Sequence, residues 1–186
     1  MQSNNGGIYY LKDNAVSDNF IDKIIKTGES KILKLATIGH KNDVRRKSKI
    51  SWLDNLEIKK PLSQLVNLAN KKNNWNYSLK EFENLQYTIY HEGDHYNWHT
   101  DNHDKPYTNV TIRKMSFTLC LNDDYEGGDF EICDPHPIQD QSVTTTFAFK
   151  KGTMIIFPSH IWHRVKPVTK GIRRSLVGWV VGRPFI

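Results

Sequence analysis

The spacing of apolar residues changes near residue 85. Before that point they recur at intervals of three and four, the period of a helix with one buried face; beyond it they fall in short alternating runs, the period of a strand. Phe20, Ile21, Ile24 and Ile25 form one helical stripe behind Ser17, whose hydroxyl suits an N-cap. Leu62, Leu65, Val66 and Ala69 form a second, with Pro61 suited to its first turn and Lys71-Lys72-Asn73-Asn74 ending it. Strands are predicted over 85–91, 113–121, 129–133, 143–149, 153–157, 163–168 and 173–181. Turn chemistry separates them, as in Asp123-Asp124-Tyr125-Glu126-Gly127-Gly128 and Lys150-Lys151-Gly152.

Helices first and many short strands after predict a mainly β fold with flanking α-helices, a jelly roll whose outer face the helices cover. One run sharpens this. Met115, Phe117, Leu119 and Leu121 make an apolar face suited to the helices, while Ser116, Thr118 and Cys120 make a smaller, more polar face that leaves room for a ligand inside the roll. The expected organisation is a single domain over 1–186, with helical support over about 1–84 and the β core over about 85–186. No internal repeat or low-complexity stretch interrupts it.

Composition narrows the class. The 186 residues are 38% hydrophobic and 11% aromatic, enough for a real core. No run approaches the ~20 apolar residues of a membrane span, and Met1-Gln2-Ser3-Asn4-Asn5-Gly6-Gly7 lacks a signal-peptide pattern. Cys120 and Cys133 make no disulfide framework, so a cytoplasmic setting is expected. The net charge of +6 permits acidic partners, nucleic acid included, without favouring them. Its one cluster, Lys41 with Arg45-Arg46-Lys47-Ser48-Lys49, reads as a solvated loop that could also line a site entrance.

Against this frame the informative residues are His99-Thr100-Asp101, His163 and Arg173. In a strand, residues two apart share a face, so His99 and Asp101 can close on one metal and His163 can join from a distant strand. Two imidazoles and a carboxylate on one face leave the other open, as in non-haem Fe(II) oxygenases. A lone His-x-Asp triplet arises readily by chance in a chain with 8 histidines, so the context must carry the reading. Arg173 and Ser175 share a face of the last strand and could together bind a carboxylate, since the guanidinium fork binds bidentately and keeps its charge. His91, His95 and His103 read as loop or cavity polar groups, Trp98 and Trp162 as packing residues, and Gly127-Gly128 as a turn.

Over residues 85–179 the chain resembles the prolyl 4-hydroxylase-like branch of the Fe(II)/2-oxoglutarate dioxygenases, PKHD-type hydroxylases of bacteria and phages in particular. The resemblance runs through Tyr90-His91-Glu92-Gly93-Asp94-His95-Tyr96-Asn97-Trp98-His99-Thr100-Asp101, Leu121-Asn122, Tyr125-Glu126-Gly127-Gly128, Gly152-Thr153, Phe157-Pro158 and His163 to Arg173, with Trp179 beyond. It implies a double-stranded β-helix, cupin-like, with Fe(II) on His99, Asp101 and His163, and O2 and 2-oxoglutarate as co-substrates. Arg173 would grip the far carboxylate of 2-oxoglutarate. Tyr90 matches a tyrosine near it, and Thr118 or Ser175 would supply hydroxyls. Arg113 matches a basic residue on the substrate side, where Arg174 and Tyr107 are also expected. The resemblance implies hydroxylation of a prolyl or other residue in a peptide or protein, with succinate and CO2 released and ascorbate as accessory reductant. Two residues depart from the collagen-type pattern: Cys120 stands where a tyrosine precedes Leu-Asn, and Arg174 where a tryptophan follows the basic anchor.

Three rival classes remain open to the sequence. They are a nucleic-acid demethylating oxygenase (whose second arginine six residues past the anchor is here Trp179), a zinc hydrolase, and a non-catalytic metal-binding jelly roll.

Overall fold

In the computed structural model, residues 7–36, 45–102 and 111–184 are described. The chain begins β1 (Tyr10–Lys12), α1 (Asp18–Glu29), β2 (Lys34–Leu35), β3 (Arg46–Lys47), β4 (Lys49–Leu53), α2 (Leu56–Lys72), β5 (Leu79–Phe82), β6 (Leu85–Tyr90) and β7 (His95–His99). It continues β8 (Ile112–Cys120), β9 (Glu126–Gly127), β10 (Phe130–Asp134), β11 (Val143–Phe147), β12 (Met154–Pro158), β13 (Trp162–Val165), β14 (Val168–Lys170) and β15 (Arg173–Gly182).

The strands form an eight-stranded sheet, ordered β1-β12-β8-β15-β6-β4-β2 with β5 also on β15, and a five-stranded sheet, β11-β10-β13-β7-β3. Two apolar clusters define the layers. Ile21 and Ile24 of α1 and Ile58, Leu62 and Val66 of α2 pack with Met115, Phe117, Leu119, Leu176 and Val180 on the outer face of the large sheet. Tyr90, Cys120, Ile155 and Phe157 on its inner face pack with Phe130, Ile132, Phe147 and Val165 of the small sheet. The division of the 115–121 run into a helix-facing and an interior face is thus observed. Among the described residues no helix is long and apolar enough to cross a membrane.

Ser17 caps α1, accepting from the Phe20 N–H at 3.4 Å. α2 begins a turn earlier than Pro61 predicts, because the Asn55 side chain accepts from the N–H groups of Glu57 and Ile58 and caps it there. Pro61 therefore lies inside the helix and forgoes only the bond to the Glu57 carbonyl. The first third is not purely helical: β1, β2, β4 and β5 extend the large sheet, β4 pairing along β6 from Leu53↔Leu85 to Lys49↔Ile89. The basic cluster is likewise not all loop, since Arg46 and Lys47 pair with Tyr96 and His95 at the edge of the small sheet. Lys41 lies outside the described residues. The predicted 163–168 strand is two elements, β13 and β14, because Pro167 lacks the N–H a continuous ladder needs.

A bulge in β8 positions the site. Trp179 pairs with Ser116 and Val180 with Met115, but Val181 pairs with Arg113, so Lys114 is the extra residue. Strict alternation would send Arg113 outward with Met115. The bulge instead turns it to the interior, the re-aiming that bulges provide.

Candidate active site

Between the sheets lies a cavity of about 140 Å³ whose walls include His99, Asp101, His163, Arg113, Thr118, Tyr90, Arg173, Ser175 and Trp179. β7 and β13 are paired neighbours with His163 directly opposite His99. Asp101 is not on that strand: β7 ends at His99, and Asp101 sits in the bend beyond. It still joins the group, its carboxylate 3.8 Å from His99 Nε2 and 3.4 Å from His163 Nε2. One donor atom from each residue lies within 4.8 Å of the others, making this the one such His/Cys/Asp/Glu group among the described residues.

The imidazoles are preset as ligands. His99 Nδ1 donates to the Asn97 carbonyl at 2.8 Å and His163 Nδ1 donates to the Ile161 carbonyl at 3.0 Å. A carbonyl can only accept, so each Nδ1 carries a proton and Nε2 is the ring nitrogen turned toward Asp101 and the cavity. Tyr96 stacks on His99 with ring centroids 3.5 Å apart and planes 8° from parallel, and the Arg46 guanidinium caps the other face of the stack 4.7 Å from the Tyr96 centroid. Burial holds His99 well below the usual imidazole range, and the neighbouring His163 adds to the effect. Burial alone would raise the Asp101 carboxyl, but His163 and His99, with Arg113 and the Ser116 hydroxyl, hold it at about 2. A neutral imidazole and an anionic carboxylate are the forms a divalent cation binds. The donor set fits Fe(II).

Deeper in the roll, Arg173 is 0% exposed. Its Nη1 donates to Ser175 Oγ at 3.1 Å, while Nε and Nη2 have no partner. The guanidinium lies 5.3 Å from the Tyr90 ring centroid and 5.7 Å from that of Phe149. A buried cation with two unpaired donor nitrogens on a cavity wall is a receptor for an anion, because leaving such groups unsatisfied is costly. The 5-carboxylate of 2-oxoglutarate fits this donor set. Thr118 and Ser175 line the same wall. Cys120 withholds the expected hydroxyl, yet Tyr125 brings its own to 3.8 Å from Cys120 Sγ. Burial pushes that phenol up to about 12 against the pull of the neighbouring Arg173.

Also on the cavity wall, Arg113 makes a two-pronged pair with Glu83, at 2.9 and 2.6 Å, and stacks 3.9 Å over Trp179. Arg174 is not brought to the cavity. Alternation along β15 turns it outward, where its Nε meets Glu29 of α1 at 3.1 Å, away from the cavity where a substrate contact was expected. Tyr107, expected on the substrate side, and His103 lie outside the described residues. Trp98 and Trp162 do pack, beside Arg164 and His136.

Sequence reasoning missed Trp52, Gln86 and Tyr96 as cavity residues, whereas Arg46, in the basic cluster read as able to line a site entrance, does line the cavity. Gln86 had a legible signal, a polar residue two and four positions before Thr88 and Tyr90 on a strand that is buried throughout. Gly128 was read as a turn alone. Its φ is +63°, and a Cβ there would come within 2.9 Å of Arg173 Cδ, so it is also the surface on which the Arg173 stem rests.

The sequence model of the 2OG-Fe(II) oxygenase superfamily matches residues 85–181. A PKHD-type hydroxylase of Idiomarina loihiensis is 34% identical over 103 residues, which are 54% of this chain and 43% of that one. The chain thus spans less than half the length of that curated relative. Among solved structures, the viral collagen prolyl hydroxylase of Paramecium bursaria Chlorella virus-1, in complex with 2OG, superposes with a TM-score of 0.72 at 20% identity, covering 95% of this chain and 97% of the other. A Trichoplax adhaerens prolyl hydroxylase, bound to a peptide fragment of the hypoxia inducible factor oxygen degradation domain, gives 0.69 at 19% identity, covering 95% and 84%. The shared fold is the double-stranded β-helix.

Proposed function

Because this chain belongs to the 2OG-Fe(II) oxygenase superfamily, we propose that it is an Fe(II)- and 2-oxoglutarate-dependent dioxygenase that hydroxylates a prolyl or similar residue in a peptide or protein. The observation that carries this reading is Arg173, a fully buried guanidinium with two open donors on the cavity that His99, Asp101 and His163 share. Fe(II), when bound, supplies the activation of O2 coupled to oxidative decarboxylation of 2-oxoglutarate to succinate and CO2, with ascorbate as accessory reductant.

The chain's own residues bind, orient and exclude. His99, Asp101 and His163 hold the metal from one side and leave the other open. Arg173 and Ser175 hold the far end of the co-substrate and so fix where its 2-oxo acid end lies. Phe130, Phe157 and Val165 on the cavity wall keep the interior apolar and exclude water.

A peptide substrate is supported by the aromatic and cationic side chains of Trp52, Trp179 and Arg113 on the cavity wall, and by the peptide bound to the Trichoplax neighbour. The nucleic-acid reading has no comparable observation behind it. The test is succinate release from 2-oxoglutarate with Fe(II) and O2, then a peptide-library screen by mass spectrometry for the gain of one oxygen atom. Oxygenated nucleobases with unchanged peptides would replace the substrate class.

A further inference from the structure

We infer that Asn122 is a positioning residue for Arg173: its side-chain amide stands in for a missing strand beside the anchor and so aims the guanidinium into the cavity. The inference rests on the co-substrate reading above. Asn122 itself lies off the cavity wall, beside Arg174 and Glu29.

Arg173 opens β15, two residues after a turn at Gly171, whose φ is +80°. On one side its backbone has a neighbour, since Arg173 pairs with Tyr90 of β6. On the other side the ladder with β8 stops short, its last pair being Ser175 with Cys120. Leu121 still donates its N–H to the Arg174 carbonyl at 3.1 Å, but no strand continues beyond it to meet residues 172–174.

Asn122 fills that gap with a side chain. Its Oδ1 accepts from the Arg174 N–H at 2.6 Å, and its Nδ2 donates to the Ile172 carbonyl at 2.7 Å. In an antiparallel ladder a carbonyl and an N–H two residues apart on one strand face the same neighbour. One primary amide, with an acceptor and a donor side by side, therefore satisfies both. The two bonds straddle Arg173. A further bond from Nδ2 to Asp124, at 2.6 Å, fixes the plane of the amide.

The guanidinium depends on that backbone for its direction. Nη1 meets Ser175 Oγ at 3.1 Å, Nε and Nη2 have no partner, and the stem rests on Gly128. A shift of residues 172–174 is passed along the stem to the end that must meet a carboxylate. The position also asks for asparagine in particular. Aspartate would set a carboxylate oxygen against the Ile172 carbonyl, and glutamine would overshoot by a methylene. Leu121-Asn122, one of the short runs that carry the family resemblance, thereby gains a physical role.

The experiment follows the d–d band of the cobalt(II)-loaded chain as 2-oxoglutarate is added and, in parallel, 2-oxopentanoate, which has the same carbon chain with a methyl in place of the far carboxylate. Asn122→Ala should weaken 2-oxoglutarate binding about tenfold, the scale on which a displaced positioning group acts, and leave 2-oxopentanoate and cobalt(II) affinity within about twofold of wild type. Turnover should show the same split, with the Michaelis constant for 2-oxoglutarate raised and kcat held. Asp124→Ala, at an exposed position, frees the amide to rotate and should weaken 2-oxoglutarate about threefold, although removing a negative charge would by itself favour a dianion. That variant decides if Asn122→Ala does not fold. Wild-type 2-oxoglutarate affinity in the deciding variant, or equal losses for the two 2-oxo acids, would overturn the brace while leaving the co-substrate reading standing. A wild-type chain that binds 2-oxoglutarate no better than 2-oxopentanoate would remove the anchor role of Arg173 itself, and the brace with it.

Discussion

Replacing Arg173 with methionine should act in opposite directions on the free and the co-substrate-bound chain. Methionine is unbranched and fills the channel that the arginine stem occupies, but it brings no charge. In the free chain the guanidinium is 0% exposed and only Nη1 has a hydrogen-bond partner. Exchanging a poorly satisfied buried ion for packed apolar volume stabilises by about 1–4 kcal/mol. At this size each kcal/mol moves the melting temperature by about 2–4 °C, so the free variant should melt several degrees higher. With 2-oxoglutarate the sign reverses. Losing the cation leaves the far carboxylate buried and unpaired, at a cost of about 2–5 kcal/mol, or roughly thirty- to several-thousand-fold in affinity. Arg174→Met is the control: its Glu29 partner is partly exposed, so it should lose under about 1 kcal/mol of stability and none of the affinity. Calorimetric titration of 2-oxoglutarate into both metal-loaded variants, with thermal melts of each, reads all four quantities. An Arg173→Met chain that melts lower and still binds 2-oxoglutarate as the wild type does would refute the reasoning, because the guanidinium would then be structural.

Gly128→Ala should raise the Michaelis constant for 2-oxoglutarate with little change in metal affinity, because its Cβ would push on Arg173 Cδ at a backbone φ of +63°; an unchanged constant would show that Arg173 does not depend on that contact. Tyr96→Leu should weaken cobalt(II) binding severalfold by releasing the stacked face of His99, a loss that chelator competition would detect. Asp101 sets an acid limit on stability. Its pKa falls from an ordinary 3.8 to about 2 on folding, so its contribution of about 2 kcal/mol is present above pH 4 and lost as pH falls toward 2. Urea denaturation of the metal-free chain between pH 5 and pH 2 should therefore show a steeper acid loss for wild type than for Asp101→Asn, and parallel losses would contradict the assignment.

The elements that carry the chemistry were legible where short-range pattern decides. The β8 run announced its two faces because apolar and small residues alternate without interruption from Met115 to Leu121. His163 and Arg173 were legible because motif order survives where overall identity is low. What escaped depends on contacts distant in sequence. The bulge at Lys114 that turns Arg113 inward is set by pairing with β15, and no local signal marks it. Asp101 was assigned to a strand because alternation explains the His-x-Asp spacing, yet a bend anchored on Ser159 achieves the same convergence. Arg46 and Tyr96 read as loop charge and motif residue; only the pairing of β3 with β7 brings the two together over His99. The start of α2 was misplaced because Pro61 was taken for its first turn, whereas the Asn55 side chain satisfies two N–H groups and starts the helix earlier, and a proline inside the helix forgoes one bond.

The most direct test of the central claim is 2-oxoglutarate turnover by the Fe(II)-loaded chain in air, read as succinate formed against 2-oxoglutarate consumed. The account predicts iron-dependent, one-to-one conversion that stops in Asp101→Ala while the far-ultraviolet dichroism of that variant stays that of the wild type, since the substitution removes a ligand and not core volume. Succinate formation that persists in Asp101→Ala, or a wild-type chain that holds zinc and leaves 2-oxoglutarate unconsumed with iron supplied, would contradict it.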